Sequence, residues 1–223
     1  MKTLLAWSSG KDSAWTLHVL RQQGVPVAAL LTTLNEEADR VAMHGVRASL
    51  LEAQAESAEL PLWKIPLPWP CANDVYEARM ADACRRALAE GFDTIAFGDL
   101  FLRDIRQYRE RQLAGSGLTP IFPLWEIPTR QLARDMISGG LRARITCVDP
   151  KQLDPAFAGR DFDDALLADL PPHADPCGEN GEFHTFAYDG PMFRKPIEIE
   201  AGPVLRINGF CYADFSPCPV SSL

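Results

Sequence analysis

The hexapeptide Ser8-Ser9-Gly10-Lys11-Asp12-Ser13 sits between a short apolar run, residues 4–7, and an amphipathic stretch, residues 12–23. A glycine-containing turn from strand to helix brings unpaired backbone N–H groups and the positive end of a helix to one point, which suits a polyanion. Gly10 lets the backbone come close to a phosphate, Lys11 adds a point charge, and the hydroxyls of Ser8, Ser9 and Ser13 offer further hydrogen bonds. The turn is not a Walker A loop, since GxxxxGK[ST] would need glycine at Leu5 and a hydroxyl residue at Asp12. It also lacks GxGxxG, so kinase, GTPase and dehydrogenase chemistry drop out together.

Two further groups carry reactive side chains. Ile95-Ala96-Phe97-Gly98-Asp99 reads as the end of a buried strand, and ligands of an open parallel sheet sit outside the carboxyl ends of its strands. Asp99 then faces the crevice of the first turn and can bind a Mg2+ that bridges phosphates; an Asp that caps the next helix is the competing reading. Residues 175–185 gather Cys177, Glu179, Glu182 and His184 in a glycine-flanked stretch. Glu182 and His184 share one face if the chain is extended there, as a base or metal-binding pair would. A polar surface turn and thiol chemistry at Cys177 stand as alternatives. His18 and His173 read as packing and loop residues.

The elements that must position these groups follow from the apolar pattern. Short apolar runs at residues 4–7, 27–34, 62–67 and 94–97 alternate with amphipathic stretches at 12–23, 46–59 and from Asn73, the expected cap, to about Glu90. Gly24 and Gly91 stand where helices end. This alternation predicts right-handed crossovers and a doubly wound parallel sheet of the α/β class. After Pro128 it gives way to a helix (130–138), a strand (142–148), a Pro-, Asp- and Gly-rich loop region and a hairpin around Asn208-Gly209. The expected division is a nucleotide-binding domain, 1–128, and a smaller α+β substrate-binding region, 129–223.

Composition bounds the partners. With a net charge of -8 the chain has no general attraction for nucleic acid. Arg103, Arg106 and Arg109 recur on one side of a helix, either as a local basic patch or as a solvated face paired with Asp104 and Glu110. Six cysteines without a CxxC pair give neither a zinc nor an iron–sulfur spacing. No apolar run has the length of a membrane span or signal peptide, so a cytoplasmic location is expected.

The loop resembles the SGGKDS signature of the N-type ATP pyrophosphatases, or PP-loop enzymes, with Ser9 in place of glycine. Met43-His44-Gly45-Val46, Phe97-Gly98-Asp99-Leu100, Pro123-Leu124-Trp125, Thr146-Cys147-Val148-Asp149 and the stretch 178–185 extend the likeness along the chain to the diphthine-ammonia ligase family. That resemblance implies a Rossmann-like PP-loop fold, ATP and Mg2+, adenylation of a substrate carboxylate with release of pyrophosphate, and attack by ammonia. It assigns the nucleotide to Ser8, Ser9, Gly10, Lys11, Asp12, Ser13, His44, Gly98 and Asp99, with Asp99 also on the metal, and catalysis to Lys11, Glu179, Glu182 and His184. The family run Glu-Gly-Gly-Glu-Tyr-Glu-Thr is here Glu179-Asn180-Gly181-Glu182-Phe183-His184-Thr185, which replaces an acidic group by one expected to titrate near neutral pH. The implied partners are therefore a carboxylate-bearing small molecule or a modified protein side chain, an ammonia donor and a second copy of the chain. A nucleotide-binding regulatory module and a PP-loop tRNA-thiolation enzyme are the alternative functions; the acidic charge and missing CxxC weigh against the latter.

Overall fold

A computed structural model describes residues 1–41 and 44–218. In chain order these form β1 (Thr3–Ala6), α1 (Lys11–Gln22), β2 (Val27–Asn35), β3 (Arg40–Val41), α2 (Ala48–Ser57), β4 (Leu62–Leu67), α3 (Asn73–Ala89), β5 (Thr94–Ala96), α4 (Arg103–Leu113) and β6 (Thr119–Ile121). There follow α5 (Thr129–Ser138), β7 (Arg142–Val148), α6 (Asp164–Asp169), β8 (Phe183–Asp189), β9 (Ile199–Ile207) and β10 (Phe210–Pro217). Met43 of the Met43–Val46 likeness lies outside the described residues.

β1 lies at the centre of a parallel sheet, with β2 and then β4 on one side and β5 and then β6 on the other; β3 runs antiparallel along the far end of β2. Strand order therefore reverses at β1, and the loops after β1 and β5 open at the switch point where such sheets bind ligands. Alternate residues serve opposite faces. Leu5, Leu30 and Ala96 enter a cluster with α1 and α2, while Leu4, Leu31 and Ile95 enter a second cluster with Ala83 and Ala87 of α3. Each buried leucine contributes roughly 1.5–3 kcal/mol, so a strand covered on both faces is fixed in register.

Glycine ends α1 in the expected way: Gly24 is left-handed (φ 69), and the Val25 N–H donates to the Leu20 carbonyl while that of Gly24 reaches Arg21. The expected Asn73 cap does not form. Ala72 is the extended residue, Asn73 is already helical, and α3 starts without a side-chain cap. Asn208 (φ 50) and Gly209 (φ 87) make the two-residue turn between β9 and β10 that their types favour.

A second sheet, antiparallel in the order β8-β7-β10-β9, is built from the C-terminal elements. Ile145, Phe186 and Phe215 from it join Leu5 and Leu17 in one cluster. The β8 backbone also reaches the loop after β1, where the Ala187 N–H donates to the Ser9 carbonyl at 3.0 Å. No helix among the described residues is long and apolar enough to cross a membrane.

Candidate active site

A cavity of about 420 Å³ opens at the carboxyl ends of β1, β2 and β5 and is closed from above by the start of β8. Of the residues singled out in the sequence, Ser8, Lys11, Asp12, Ser13, His44, Gly98, Asp99, Glu179 and His184 all line it. Ser9, Gly10 and Glu182 do not.

The loop is held by its backbone. Ser9 takes the left-handed conformation (φ 70), is fully buried, and its hydroxyl has no hydrogen-bond partner. Its carbonyl accepts from Gln54 Nε2 at 2.9 Å; the same amide nitrogen donates to the Ala187 carbonyl, and Gln54 Oε1 accepts from Trp7 Nε1. Gln54 escaped the sequence reading because a polar residue on an amphipathic helix looks solvent-facing, whereas here its amide joins the loop after β1 to β8. Gly10 has a reason beyond phosphate approach: a Cβ there would stand 2.8 Å from His44 Cε1 and 3.2 Å from the Thr185 carbonyl. Gly98 similarly lets the end of β5 press against the Asp12 backbone of α1.

Lys11 is the first residue of α1 and only 2% exposed. Its Nζ lies 2.9 Å from Asp12 Oδ2 and also donates to the Cys177 carbonyl. Burial is the largest influence and works against the ammonium, but Asp12, Cys177 and Glu179 together hold its pKa above the ordinary lysine value, while burial pushes the Asp12 carboxyl above its own. A permanent cation thus stands beside the positive end of α1 on the cavity wall, a combination suited to phosphate. The backbone N–H of Lys11 is spent on Thr185 Oγ1 at 3.0 Å, another tie to β8.

Residues 175–185 fold around Asp175, which the sequence reading passed over. Its Oδ1 accepts from the N–H groups of Cys177 and Glu179, and its Oδ2 from the Thr129 hydroxyl at 2.6 Å. An Asp before Pro-Cys-Gly is the signal for such a side-chain-closed turn. Glu179 accepts from the Leu100 N–H at 2.8 Å, and burial pushes its carboxyl up to about 7. Glu182 and His184 do not act as a pair. Glu182 precedes β8, is 2% exposed, and turns its Oε1 back to the Asp175 N–H and Asn180 Nδ2. It braces its own loop and does not reach the cavity.

His184 does reach the cavity and packs against His44, ring centroids 4.7 Å apart. His44 Nδ1 is 3.0 Å from the Thr185 carbonyl, which can only accept, so this nitrogen carries the hydrogen. Burial lowers His44 to about 4 and His184 to about 3. The expectation that His184 titrates near neutral pH is thereby corrected: both rings are neutral at pH 7, and Glu179 is the neighbour that titrates there.

Asp99 differs from its expected role as a free metal ligand. Arg109 engages both its oxygens, Nε to Oδ2 at 2.6 Å and Nη2 to Oδ1 at 3.2 Å. The arginine series also divides: Arg106 pairs with Glu110 and Arg103 with Glu126 at the surface, while Arg109 turns into the cavity. No group of three His, Cys, Asp or Glu side chains suited to a metal occurs among the described residues. Asp12 fits a cation better than Asp99 does, because its Oδ1 is buried without a partner at the cavity wall. Mg2+ commonly takes one or two protein carboxylates and completes its shell with phosphate oxygens and water, and this unpartnered oxygen is a donor that such a shell would use.

Comparison with known proteins agrees with this architecture. Curated relatives called diphthine–ammonia ligase include those of Bos taurus, 25% identical over 96% of this chain and 88% of theirs, and of Homo sapiens, 26% over the same shares. The Schizosaccharomyces pombe protein of that name is 24% identical over 98% of this chain, which corresponds to 39% of its own length. A crystal structure described as a predicted subunit of tRNA methyltransferase from Methanocaldococcus jannaschii overlays 66% of this chain and 80% of its own, at 18% identity and a TM-score of 0.42, too loosely to argue from. Residues 1–120 match the family model of the diphthamide synthase N-terminal domain and residues 128–213 that of the C-terminal domain. With its parallel nucleotide-type sheet and its antiparallel cover each matched in turn, the chain belongs to the diphthamide synthase family of PP-loop proteins.

Proposed function

We propose that this protein is an ATP-dependent ligase that converts a substrate carboxylate into an amide, as the name of its relatives describes for theirs, with a small-molecule acid as acceptor. A carboxylate oxygen attacks the α-phosphorus of ATP; the new C(O)–O–P bond forms as the bond to the β-phosphate oxygen breaks, releasing pyrophosphate. Ammonia then attacks the acyl carbon, a C–N bond replaces the C–O bond, AMP leaves, and one proton is released. The observation that carries this reading is the buried Lys11 ammonium at the start of α1, facing a cavity that also holds Glu179.

In this scheme the Lys11 cation and the first-turn N–H groups of α1 stabilise charge on the departing pyrophosphate. The Ser8 hydroxyl donates to the phosphates, while Ser13 Oγ, 3.3 Å from it, donates to the Gly10 carbonyl and fixes the turn. Glu179, ionised above about pH 7, takes the proton that the attacking nitrogen must lose. Mg2+, bound through Asp12, would supply charge neutralisation on the phosphates. The neutral His44–His184 pair lines the main cavity and offers no counter-charge to a quaternary ammonium such as that of the diphthine side chain.

The test is turnover of ATP and Mg2+ with ammonium and a panel of carboxylic acids. Acid-dependent pyrophosphate and AMP are expected; ADP and phosphate in their place would overturn the scheme. A nucleotide sensor would bind ATP with no turnover in any acid, and Lys11→Ala would then change affinity alone.

A further inference from the structure

A second hollow of about 260 Å³ lies between α3 and α4. Tyr76, Met80, Phe97 and Arg109 line both it and the main cavity, so it is a side pocket of the site. The two helices leave it unfilled: α3 buries only Ala83 and Ala87, α4 only Leu113. Apolar surface that a closely packed helix pair would cover, including Leu88 at 38% exposure, is left to face the hollow. Cys84, Leu88, Ile95 and Leu113 form its floor and walls. At roughly 30 Å³ per water-sized unit, it holds a single ring or a short alkyl chain.

Its charge has one sign. Arg85 at the rim and Arg109 at the shared wall line it, and no Asp or Glu does. Both guanidinium groups are already paired outside it, Arg85 with Asp82 and Arg109 with Asp99, so a cationic guest finds no free carboxylate in its lining, and the Phe97 face that could receive an ammonium already carries the Arg109 guanidinium at 4.5 Å.

We infer that the acceptor is a small carboxylic acid with an uncharged, apolar body, seated in this side pocket with its carboxylate directed past Arg109 toward the Ser8–Ser13 loop. The inference rests on the amidation reading for its chemistry and on the pocket alone for its choice of acid.

The experiment uses the full chain and two sets of acids: phenylacetate and hexanoate with apolar bodies, betaine and carnitine with quaternary ammonium groups. Binding is read by calorimetry with α,β-methylene ATP and Mg2+ present, and turnover by pyrophosphate release with ATP and ammonium. Cys84→Phe fills the pocket from its wall, and Ala81→Leu does so from an exposed position of α3 where folding is not at stake. Both are expected to weaken the apolar acids about tenfold or more while affinity for the ATP analogue is unchanged.

Turnover of betaine or carnitine in preference to the apolar acids, indifferent to Cys84→Phe and Ala81→Leu, would overturn the pocket assignment and leave amidation standing. Apolar acids that bind with the expected sensitivity yet release no pyrophosphate would overturn amidation and leave the pocket standing. Absence of saturable binding by either apolar acid at millimolar concentration would overturn the pocket itself.

Discussion

Arg109 grips Asp99 through two nitrogen–oxygen contacts, 2.6 and 3.2 Å, from a helix that begins only four residues further along the chain. The pair ties α4 to the end of β5 and removes Asp99 from the set of free carboxylates. Asp12→Asn is therefore expected to abolish the Mg2+ dependence of ATP-analogue binding, whereas Asp99→Asn keeps most of it. Calorimetric titration of the analogue with and without Mg2+ distinguishes the two, and equal losses would return the metal to Asp99.

Lys11→Ala is expected to reduce pyrophosphate release by about two to three orders of magnitude, the usual effect of removing one donor aimed at transition-state charge. Circular dichroism should report an unchanged fold, since Lys11 Nζ contacts only Asp12 and the Cys177 carbonyl among hydrogen-bonding groups. A variant that keeps wild-type turnover would separate this lysine from the chemistry.

The pH dependence has two parts of opposite sign. His44 and His184 sit well below the ordinary histidine value when folded, at about 4 and 3, so they stabilise the fold above about pH 6.5 and lose that contribution as pH falls toward 3. Glu179 is shifted the other way, to about 7, so its contribution is complete below its unfolded value and is lost as pH rises through 7. Urea melts from pH 4 to 8 should show a maximum between these limbs, with His184→Asn shallowing the acid limb. The rate should rise with an apparent pKa near 7, a limb that Glu179→Gln removes.

Ser9→Gly is expected to stabilise the protein by about 1 kcal/mol, because glycine accepts φ 70 without steric cost and the unpartnered buried hydroxyl disappears. The midpoint of chemical denaturation reads this directly, and a lower midpoint would mean that the hydroxyl has an unrecognised partner.

Glu182→Ala is expected to cost about 1–3 kcal/mol, since it leaves the Asp175 N–H without its acceptor inside the fold, while kcat is little changed. A loss of kcat at unaltered stability would place Glu182 in the chemistry after all.

The sheet and its loop were legible because both are local. Alternating runs such as Leu4-Leu5 and Leu30-Leu31 mark strands buried on two faces, and the glycine-containing hexapeptide between an apolar run and an amphipathic one marks the turn itself. The roles of Glu182 and Arg109 were not legible, because they depend on which way a loop and a helix face in three dimensions. Glu182 and His184 do stand two apart, but the chain becomes extended only at Phe183, so the shared face never forms. The pKa of His184 was misjudged for the same reason: a sequence shows the imidazole but not the His44 ring stacked beside it or the depth at which both are buried.

The clamp of β8 on the loop bears on synthesis as well as on structure. Lys11 leaves the ribosome 174 residues ahead of Thr185, whose hydroxyl accepts its N–H. Until β8 has been made, that turn lacks the partner that closes it. On the proposed reading, nucleotide binding at this turn reports on completed assembly, because β8 has to fold down over it first.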